Sequence, residues 1–324
     1  MFLLAHLSDP HVASQLRLGV RDFAGKRLWG FLSWRLRRRH IHHRTVLDAL
    51  AEDLLQQHPD HVVVTGDITN ISLPAEFLAA SHWLASLGRP EFVSIIPGNH
   101  DAYVHVPWER SWVHWDDYMR SDADGAPVMG VATQFPFVRR RQNVAIVGLS
   151  TAVTSAPGMA VGRLGTEQLH ATRTLLDQLR AEGVFRVVLL HHPPITAAGD
   201  RHKRLVDAKA FVAMLRDTGA ELVLHGHDHV HRLRSLPSRL GDIATLGAAS
   251  ASAATVRGHA PAQYNLYRIT PRNDGWTIDV CIRGLDAAGH FVALHRQRLT
   301  VARAHARHVG EPTSAAVASE ALEG

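Results

Sequence analysis

Nine polar residues of this sequence have the types and spacing of a metal-dependent catalytic site. They form five clusters, which are Asp9 with His11, Asp67, Asn99-His100-Asp101, His191, and His227 with His229. Carboxylates, imidazoles and one amide, without a thiolate, suit Mn, Fe, Zn, Ni or Co. Seven candidate ligands are too many for one tetrahedral ion. Two divalent ions ~3.5–4 Å apart, sharing a bridging carboxylate, would use them all, as in sites that cleave phosphoesters.

Each cluster follows an apolar segment that is predicted to be a buried strand. The predicted strands are 2–7, 61–65, 92–96, 185–190 and 221–224. Apolar residues at helical spacing predict helices over 44–57, 74–87, 166–182 and 207–218, and a further helix is predicted over 106–120. Active sites of α/β sheets lie at the carboxyl ends of the strands, so we expect the five clusters to form one site.

After Val230 the pattern changes to short alternating segments with no helix between them. The segments lie around 231–236, 243–248, 263–270, 276–283 and 290–299. Such alternation predicts antiparallel strands, here the antiparallel half of a second sheet. The fold class is therefore α/β, with two mixed β-sheets flanked by helices.

Size and composition favour one large domain. The chain has 324 residues, 46% of them hydrophobic, and we assign 1–302 to the domain and 303–324 to a flexible C-terminal tail. Cys281 is the only cysteine, which excludes an intrachain disulfide and fits a reducing compartment. No segment approaches the ~20 apolar residues of a membrane span, and the first residues lack the basic region of a signal peptide. We therefore expect a cytoplasmic protein.

Positive charge is concentrated in residues 14–43, which we interpret as an insertion. The chain has a formal net charge of +5, which favours anionic partners. In the insertion, Arg and Lys alternate with Trp, Phe and Leu, and His40, His42 and His43 follow. Such a segment is suited to anionic lipid headgroups, nucleic acid or a partner protein. The favoured interpretation is that it folds back over the site with its apolar side chains buried.

The clusters resemble, in order, the five motifs of calcineurin-like metallophosphoesterases. The matching stretches are Asp9-Pro10-His11, Gly66-Asp67-Ile68-Thr69-Asn70, Gly98-Asn99-His100-Asp101, His191 and Gly226-His227-Asp228-His229. Gly-Asp-Ile-Thr-Asn and His-His-Pro-Pro are most similar to the cyclic-nucleotide and glycerophosphodiester phosphodiesterase branch. The resemblance covers residue 1 to about 250 and implies a four-layer αββα sandwich.

The resemblance also implies how two metal ions share the seven ligands. The first ion would be held by Asp9, His11 and His229, the second by Asn99, His191 and His227, and Asp67 would bridge them. His191 is assigned rather than His192 because the family's ligand precedes a residue followed by proline.

His100 and Asp101 are the catalytic residues that the resemblance implies. His100 would contact the scissile phosphate and protonate the leaving oxygen, with Asp101 orienting it. The implied function is a phosphodiesterase that hydrolyses a small phosphodiester, cyclic nucleotide or glycerophosphodiester-like, by attack of a hydroxide that bridges the ions.

Three alternative functions were weighed. A phosphoesterase or pyrophosphatase acting on lipid headgroups would use 14–43 to contact anionic membrane, and its substrate would be lipid-linked. A nuclease is less favoured because the chain has no recognisable nucleic-acid module. A non-enzymatic scaffold is disfavoured because all seven ligands are present.

Overall fold

The computed structural model of the chain describes residues 1–12, 19, 25–36, 38–122, 135–195, 200–254, 260–302 and 320–321. The α-helices in these ranges are α1 (Lys26–Leu36), α2 (Arg44–Gln56), α3 (Pro74–Leu87), α4 (Thr166–Ala181) and α5 (Ala208–Thr218). Short 3-10 helices occur at Arg38–His40, Trp108–Arg110 and Trp112–Met119. The last two replace the predicted helix over 106–120.

The strands form two mixed sheets. They are β1 (Phe2–Leu7), β2 (His61–Val64), β3 (Val93–Ile95), β4 (Phe137–Arg141), β5 (Val144–Gly148), β6 (Phe185–Leu189), β7 (Leu222–His225), β8 (Arg232–Leu236), β9 (Ile243–Gly247), β10 (Gln263–Arg272), β11 (Gly275–Leu285), β12 (Phe291–Ala302) and β13 (Glu320–Ala321). The first sheet has the order β13-β12-β11-β10-β1-β2-β3, and the second has β4-β5-β6-β7-β9-β8. This confirms the predicted fold class of two mixed sheets with flanking helices.

Each sheet contains parallel strands whose carboxyl ends carry the predicted clusters. In the first sheet β1, β2 and β3 are parallel neighbours. In the second sheet β5, β6, β7 and β9 are parallel. The clusters therefore come from three strand ends of one sheet and two of the other.

The hydrophobic core explains why the parallel strands are apolar on both faces. In β6, Val187 and Leu189 belong to the main core, which also includes β1 and β2. Val188, between them, faces a second cluster with Leu176 of α4 and Phe211 of α5. A strand covered on both faces reads as a continuous apolar run rather than as an alternating one.

The predicted place of the C-terminal strands is wrong in one respect. They do not form the antiparallel half of one second sheet, because β10 pairs antiparallel with β1 and continues the first sheet through β11 and β12. Only β8 and β9 join the second sheet, and β9 is parallel to β7. Alternation indicates a strand with one buried face, but it carries no information on which sheet edge the strand will pair with.

The part of the predicted tail that the structure describes is β13, which pairs with β12. The remainder, 303–319 and 322–324, lies outside the described residues. Among the helices that are described, none combines the length and apolar character needed to cross a bilayer.

The described part of the insertion folds back onto the domain, but the expectation that its apolar side chains are buried holds only in part, because Trp34 is buried whereas Trp29, Leu32 and Leu36 are exposed. Trp34 of α1 is buried with Ile71 and Leu73, which follow the Asp67 loop. Gly30 lies so close to Ile71 and Tyr103 that an added Cβ would come within 2.8 Å of both. Helix α1 is therefore packed against the loops that extend from β2 and β3.

Candidate metal centre

The loops that follow β1 and β2 are joined by backbone hydrogen bonds. The Asp9 amide donates to the Gly66 carbonyl at 3.0 Å, and the His11 amide donates to the Asp67 carbonyl at 3.1 Å. Among the described non-glycine residues, eight have positive φ, and five of these are predicted ligands, namely Asp9, His11, Asp67, His227 and His229. Such backbone strain persists where the surrounding structure enforces it, and it often marks functional sites.

The first group of candidate ligands contains Asp9, His11 and His229, whose donor atoms lie within 4.8 Å of one another. Asp9 Oδ1 is 3.1 Å from His229 Nε2. Donors that bind one ion at 2.0–2.2 Å lie roughly 3 Å apart, so this spacing suits a shared metal. His11 donates from Nδ1 to the Thr69 carbonyl at 3.0 Å, which leaves Nε2 available to a metal.

The second group contains Asp67, His191 and His227, again with donor atoms within 4.8 Å. His191 donates from Nδ1 to the Thr65 carbonyl at 2.6 Å. Its Nε2 is 3.3 Å from Asp67 Oδ2 and 3.1 Å from Asn99 Oδ1. The structure therefore brings Asn99 to this group as well.

The His192 ring lies 4.4 Å from the His227 ring, but both of its nitrogens have partners outside the two donor groups. Its Nδ1 is 2.7 Å from the Thr151 hydroxyl, and its Nε2 is 3.2 Å from the Ala160 carbonyl. Of the two adjacent histidines, His191 is the one beside Asp67.

Burial and neighbouring charges give most of these donors the protonation states that bind cations. His227 Nε2 is buried without a hydrogen-bond partner among the described residues, as expected of a nitrogen that faces a metal. Burial lowers the pKa of His11 to about 4 and that of His227 to about 3, so both rings are neutral. Burial alone would raise the pKa of Asp67, but the His191 and His100 imidazoles hold it well below its usual range.

The pKa of His191 is raised, in contrast to those of His11 and His227. Burial alone would lower the pKa of His191, but the Asp67 carboxylate, together with Asp9 and the Thr65 carbonyl, outweighs burial and raises it to about 9. The buried carboxylates thus attract positive charge to the centre of the site. The neutral imidazoles of His11 and His227, the ionised carboxylates and the inward-facing His227 nitrogen together fit a pair of divalent ions, and a metal bound by His191 would release its proton.

His100 projects into the same space from the loop after β3. Its Nδ1 donates to the Asn70 carbonyl, which fixes the tautomer and turns Nε2 toward the metal centre. His100 Nε2 lies 4.0 Å from Asp67 Oδ2. The ring is thus beside the candidate ligands without belonging to either group.

Asp101 does not orient the His100 ring in the way the resemblance implied. Its carboxylate accepts hydrogen bonds from the amides of Gly98, Thr69 and Ile68, at 2.8, 2.8 and 3.3 Å, and from the Thr69 hydroxyl at 3.0 Å. It therefore ties the loop after β2 to the loop after β3. Burial and the Asp67 charge raise the pKa of Asp101 to about 7, against these hydrogen bonds.

Two glycines allow the loops to approach so closely. A Cβ at Gly98 would lie 2.3 Å from Asp67 Oδ1, and one at Gly226 would lie 1.8 Å from Ser8 Oγ and 2.7 Å from Asp9 Oδ2. Any side chain at these positions would displace a candidate ligand.

Two residues of the insertion reach the site, and sequence reasoning did not single them out. Arg38 Nη1 lies 3.0 Å from His100 Nδ1. The His42 ring is centred 4.5 Å from the His11 ring, and its Nδ1 is 2.9 Å from the Ser252 hydroxyl. Their only signal in the sequence is the basic and histidine-rich composition of the segment.

A cavity of about 570 Å³ opens beside Asn99 and His100. Its walls include Trp29 of α1, Tyr103 and Met159. The space is contiguous with the metal centre and large enough for an organic group attached to a bound phosphate.

Fold and site together define a class of protein: an α/β sandwich with a candidate two-metal centre at facing strand ends. The sequence profile of the calcineurin-like phosphoesterase family matches residues 2–231. The chain therefore belongs to this family.

Two curated relatives carry the names of the branch that the motifs resemble. A glycerophosphodiester phosphodiesterase from Enterobacter lignolyticus is 36% identical over 99 residues, which are 31% of this chain and 29% of the relative. A probable cyclic nucleotide phosphodiesterase from Synechococcus sp. is 27% identical over 185 residues, which are 56% of this chain and 62% of the relative. The chain thus matches less than two thirds of the length of either relative, and the predicted resemblance to this branch is confirmed.

Solved structures share the fold at low identity. A dimetal phosphatase from Danio rerio superposes with a TM-score of 0.61 and 14% identity, over 90% of this chain and 98% of the other. Purple acid phosphatase PPD1 from yellow lupin superposes with a TM-score of 0.52 and 10% identity, over 90% of this chain and 52% of the other.

Proposed function

We propose that the protein is a metal-dependent phosphodiesterase acting on small phosphodiesters at the centre described above. The observation that carries this proposal is the convergence of two donor groups, one around Asp9 and one around Asp67, from the facing ends of two sheets. A pair of divalent ions in these groups would neutralise phosphate charge and activate the attacking water.

The ligand roles follow from the two groups. Asp9, His11 and His229 would hold one ion, and Asn99, His191 and His227 the other. Asp67 belongs between them, since its Oδ2 is near His191 and its pKa responds to the His11 imidazole as well. The carbonyls of Thr65 and Thr69 orient two of the imidazoles by accepting their Nδ1 protons.

His100 is the residue we assign to proton transfer. Because Nδ1 is committed to the Asn70 carbonyl, Nε2 is the atom that would hold the proton and give it to the leaving-group oxygen. Asp101 maintains the position of the loop, and so it acts on catalysis only through His100 and Asn99.

The adjoining cavity supports a diester as the substrate, since it offers room for a group on the phosphate. The names of the two relatives point to cyclic nucleotides and glycerophosphodiesters as the first substrates to try. A panel of cyclic AMP, glycerophosphocholine, a phosphomonoester and single-stranded DNA separates these classes.

The test of the proposal is turnover of bis-p-nitrophenyl phosphate by protein loaded with Mn²⁺. Turnover is expected to disappear with EDTA and in Asp67→Ala, and to persist in Asp48→Ala, where the lost carboxylate is exposed on α2. Bound metal is measured by inductively coupled plasma mass spectrometry. Protein that holds two ions and hydrolyses none of these esters would refute the proposal.

A second candidate, a hydrolase of lipid headgroups, is favoured by the outer face of α1. Trp29, Leu32 and Leu36 are all exposed there, at spacings that place them on one side of the helix, and Trp29 also borders the cavity. Co-sedimentation with phosphatidylglycerol vesicles, lost when the three residues are replaced by Ser, would support this candidate. Failure of the wild type to sediment would exclude it.

A further inference from the structure

The cavity beside the metal centre is lined by cationic side chains. Lys26, Arg38 and Lys203 line it, and no Asp or Glu is among its described lining residues. Ion pairs join many arginines of the chain to carboxylates, as in Arg186 with Glu221. Among the described residues, none joins Lys26 or Arg38 to a carboxylate. Asp67, Glu76 and Asp9 act on Arg38 without forming a direct ion pair with it, so an anionic ligand in the cavity would supply the direct counter-charge that Lys26 and Arg38 lack.

Arg38 is oriented for such a ligand. Its Nη1 is 3.0 Å from His100 Nδ1, but that nitrogen already donates its proton to the Asn70 carbonyl and has no lone pair to offer. Two donors therefore face each other. Arg38 also lines the cavity together with Asn99 and His100, so its guanidinium, which lacks an acceptor at Nη1, is placed to contact a phosphate bound there.

Lys26 lies further along the same wall. Its Nζ donates to the Ser155 carbonyl at 2.8 Å and is 3.3 Å from the Ser155 hydroxyl. It sits 4.2 Å above the Tyr103 ring, which in turn stacks parallel to His100 with ring centres 5.8 Å apart. The ammonium is thus fixed one ring away from His100.

We propose that this cavity takes phosphodiesters with a second negatively charged group, in which Arg38 contacts the reacting phosphate and Lys26 contacts the second group. The inference rests on the proposed function, because that function places the reacting phosphate at the metal centre. Soluble bisphosphates and acidic lipid headgroups share this chemistry.

The first test is binding, which does not depend on turnover. Calorimetry compares thymidine 3′,5′-bisphosphate with thymidine 5′-monophosphate on the metal-loaded protein. The wild type is expected to bind the bisphosphate roughly tenfold more tightly, since a hydrogen bond to a charged group contributes about that factor or more. Lys26→Met should lower this ratio toward one, and Lys26→Arg should restore it. Arg38→Gln should weaken both nucleotides by roughly tenfold.

The matched control is Arg39→Gln, since Arg39 is an exposed neighbour that donates to the His40 side chain and does not line the cavity. It should bind both nucleotides as the wild type does. Equal affinity of the wild type for the two nucleotides, or a preference that survives Lys26→Met, would overturn the proposal.

Turnover then separates this inference from the proposed function. The substrates are thymidine 5′-(p-nitrophenyl phosphate) and its 3′-phosphate derivative, and the Lys26-dependent ratio should reappear in kcat/KM. If neither ester is hydrolysed, the proposed function fails while the binding ratio still decides the present inference. A competition experiment identifies the source of the second charge. If phosphatidylserine vesicles displace the bisphosphate and phosphatidylcholine vesicles do not, the second charged group belongs to a lipid headgroup. If phosphatidylserine vesicles do not displace it, the second charged group belongs to a soluble substrate.

Discussion

Replacement of Asp101 by Ala should cost stability and metal binding rather than proton transfer. The carboxylate accepts from the amides of Gly98, Thr69 and Ile68 and from the Thr69 hydroxyl, and it is 2% exposed. Asp101→Ala leaves three buried amides without an acceptor. Each such loss costs roughly 1–3 kcal/mol, and partial relaxation brings the expected decrease in the free energy of unfolding to about 3–6 kcal/mol. That is a large part of the 5–15 kcal/mol typical of a folded domain.

Metal affinity should fall in parallel. Gly98 precedes Asn99, and Thr69 follows Asp67 by two residues, so the lost hydrogen bonds are those that hold two candidate ligands in position. Asp101→Asn keeps the shape and one acceptor oxygen but turns an NH₂ group toward backbone donors, and it should lie between the wild type and Asp101→Ala.

The assay is urea unfolding of the metal-free protein, together with metal content after dialysis. Asp48→Ala is the control, because its exposed pair with Arg44 is expected to contribute about 0.3–0.5 kcal/mol. If Asp101→Ala unfolds within 1 kcal/mol of the wild type and keeps its metals while losing turnover, Asp101 is a partner of His100 in proton transfer, and the structural argument fails.

Three further predictions concern His100, Gly226 and His61. His100→Ala should lower kcat by roughly 10²–10⁴-fold while keeping both metals, and loss of metal would contradict the separation of His100 from the ligands. Gly226→Ala should abolish metal binding measured by mass spectrometry, since its Cβ would overlap Ser8 Oγ and crowd Asp9, whereas normal occupancy would show that the loop can yield. Burial, with Arg141 and Arg139 nearby, lowers the pKa of His61 to about 3. The unfolded chain, at pKa 6.5, then binds this proton more strongly, so stability falls as the pH drops from 6.5 to 3. In His61→Gln, the slope of the unfolding free energy against pH should be smaller in that window by about 1.4 kcal/mol per pH unit. An unchanged slope would refute the lowered pKa of His61.

The sequence was sufficient to predict which side chains converge, and the reason is geometric. Parallel strands carry their carboxyl ends to one edge, so a ligand directly after β1, β2 or β3 needs no further information to be placed beside the others. The same applies to β6 and β7. The assignment of Asn99, His191 and His227 as individual candidate ligands came from the resemblance to the family motifs.

Strand neighbours and hydrogen bonds between loops distant in the sequence were not predictable in this way. The strand β10 alternates like β8 and β9, yet it pairs with β1, about 260 residues away in the chain. Asp101 stands next to His100 in sequence, but the amides that it accepts from belong partly to the loop after β2. Local patterns report the periodicity and burial of an element, whereas these contacts depend on which loops the assembled sheets bring together.

The candidate metal ligands and the cationic residues of the cavity come from different parts of the chain, which suggests where substrate preference is determined. The candidate ligands come from strand ends that the core holds rigidly, and their types are those of the family motifs. Arg38 and Lys26 come from the insertion, 62 and 74 residues before His100, and line the cavity from outside the sheets. A change in α1 can therefore alter the charge of the cavity without disturbing a metal ligand, whereas a change at Asp67 or Asp101 cannot be confined to substrate binding. Variation of segment 25–43 is accordingly the route by which the same metal centre would be adapted to a different phosphoester.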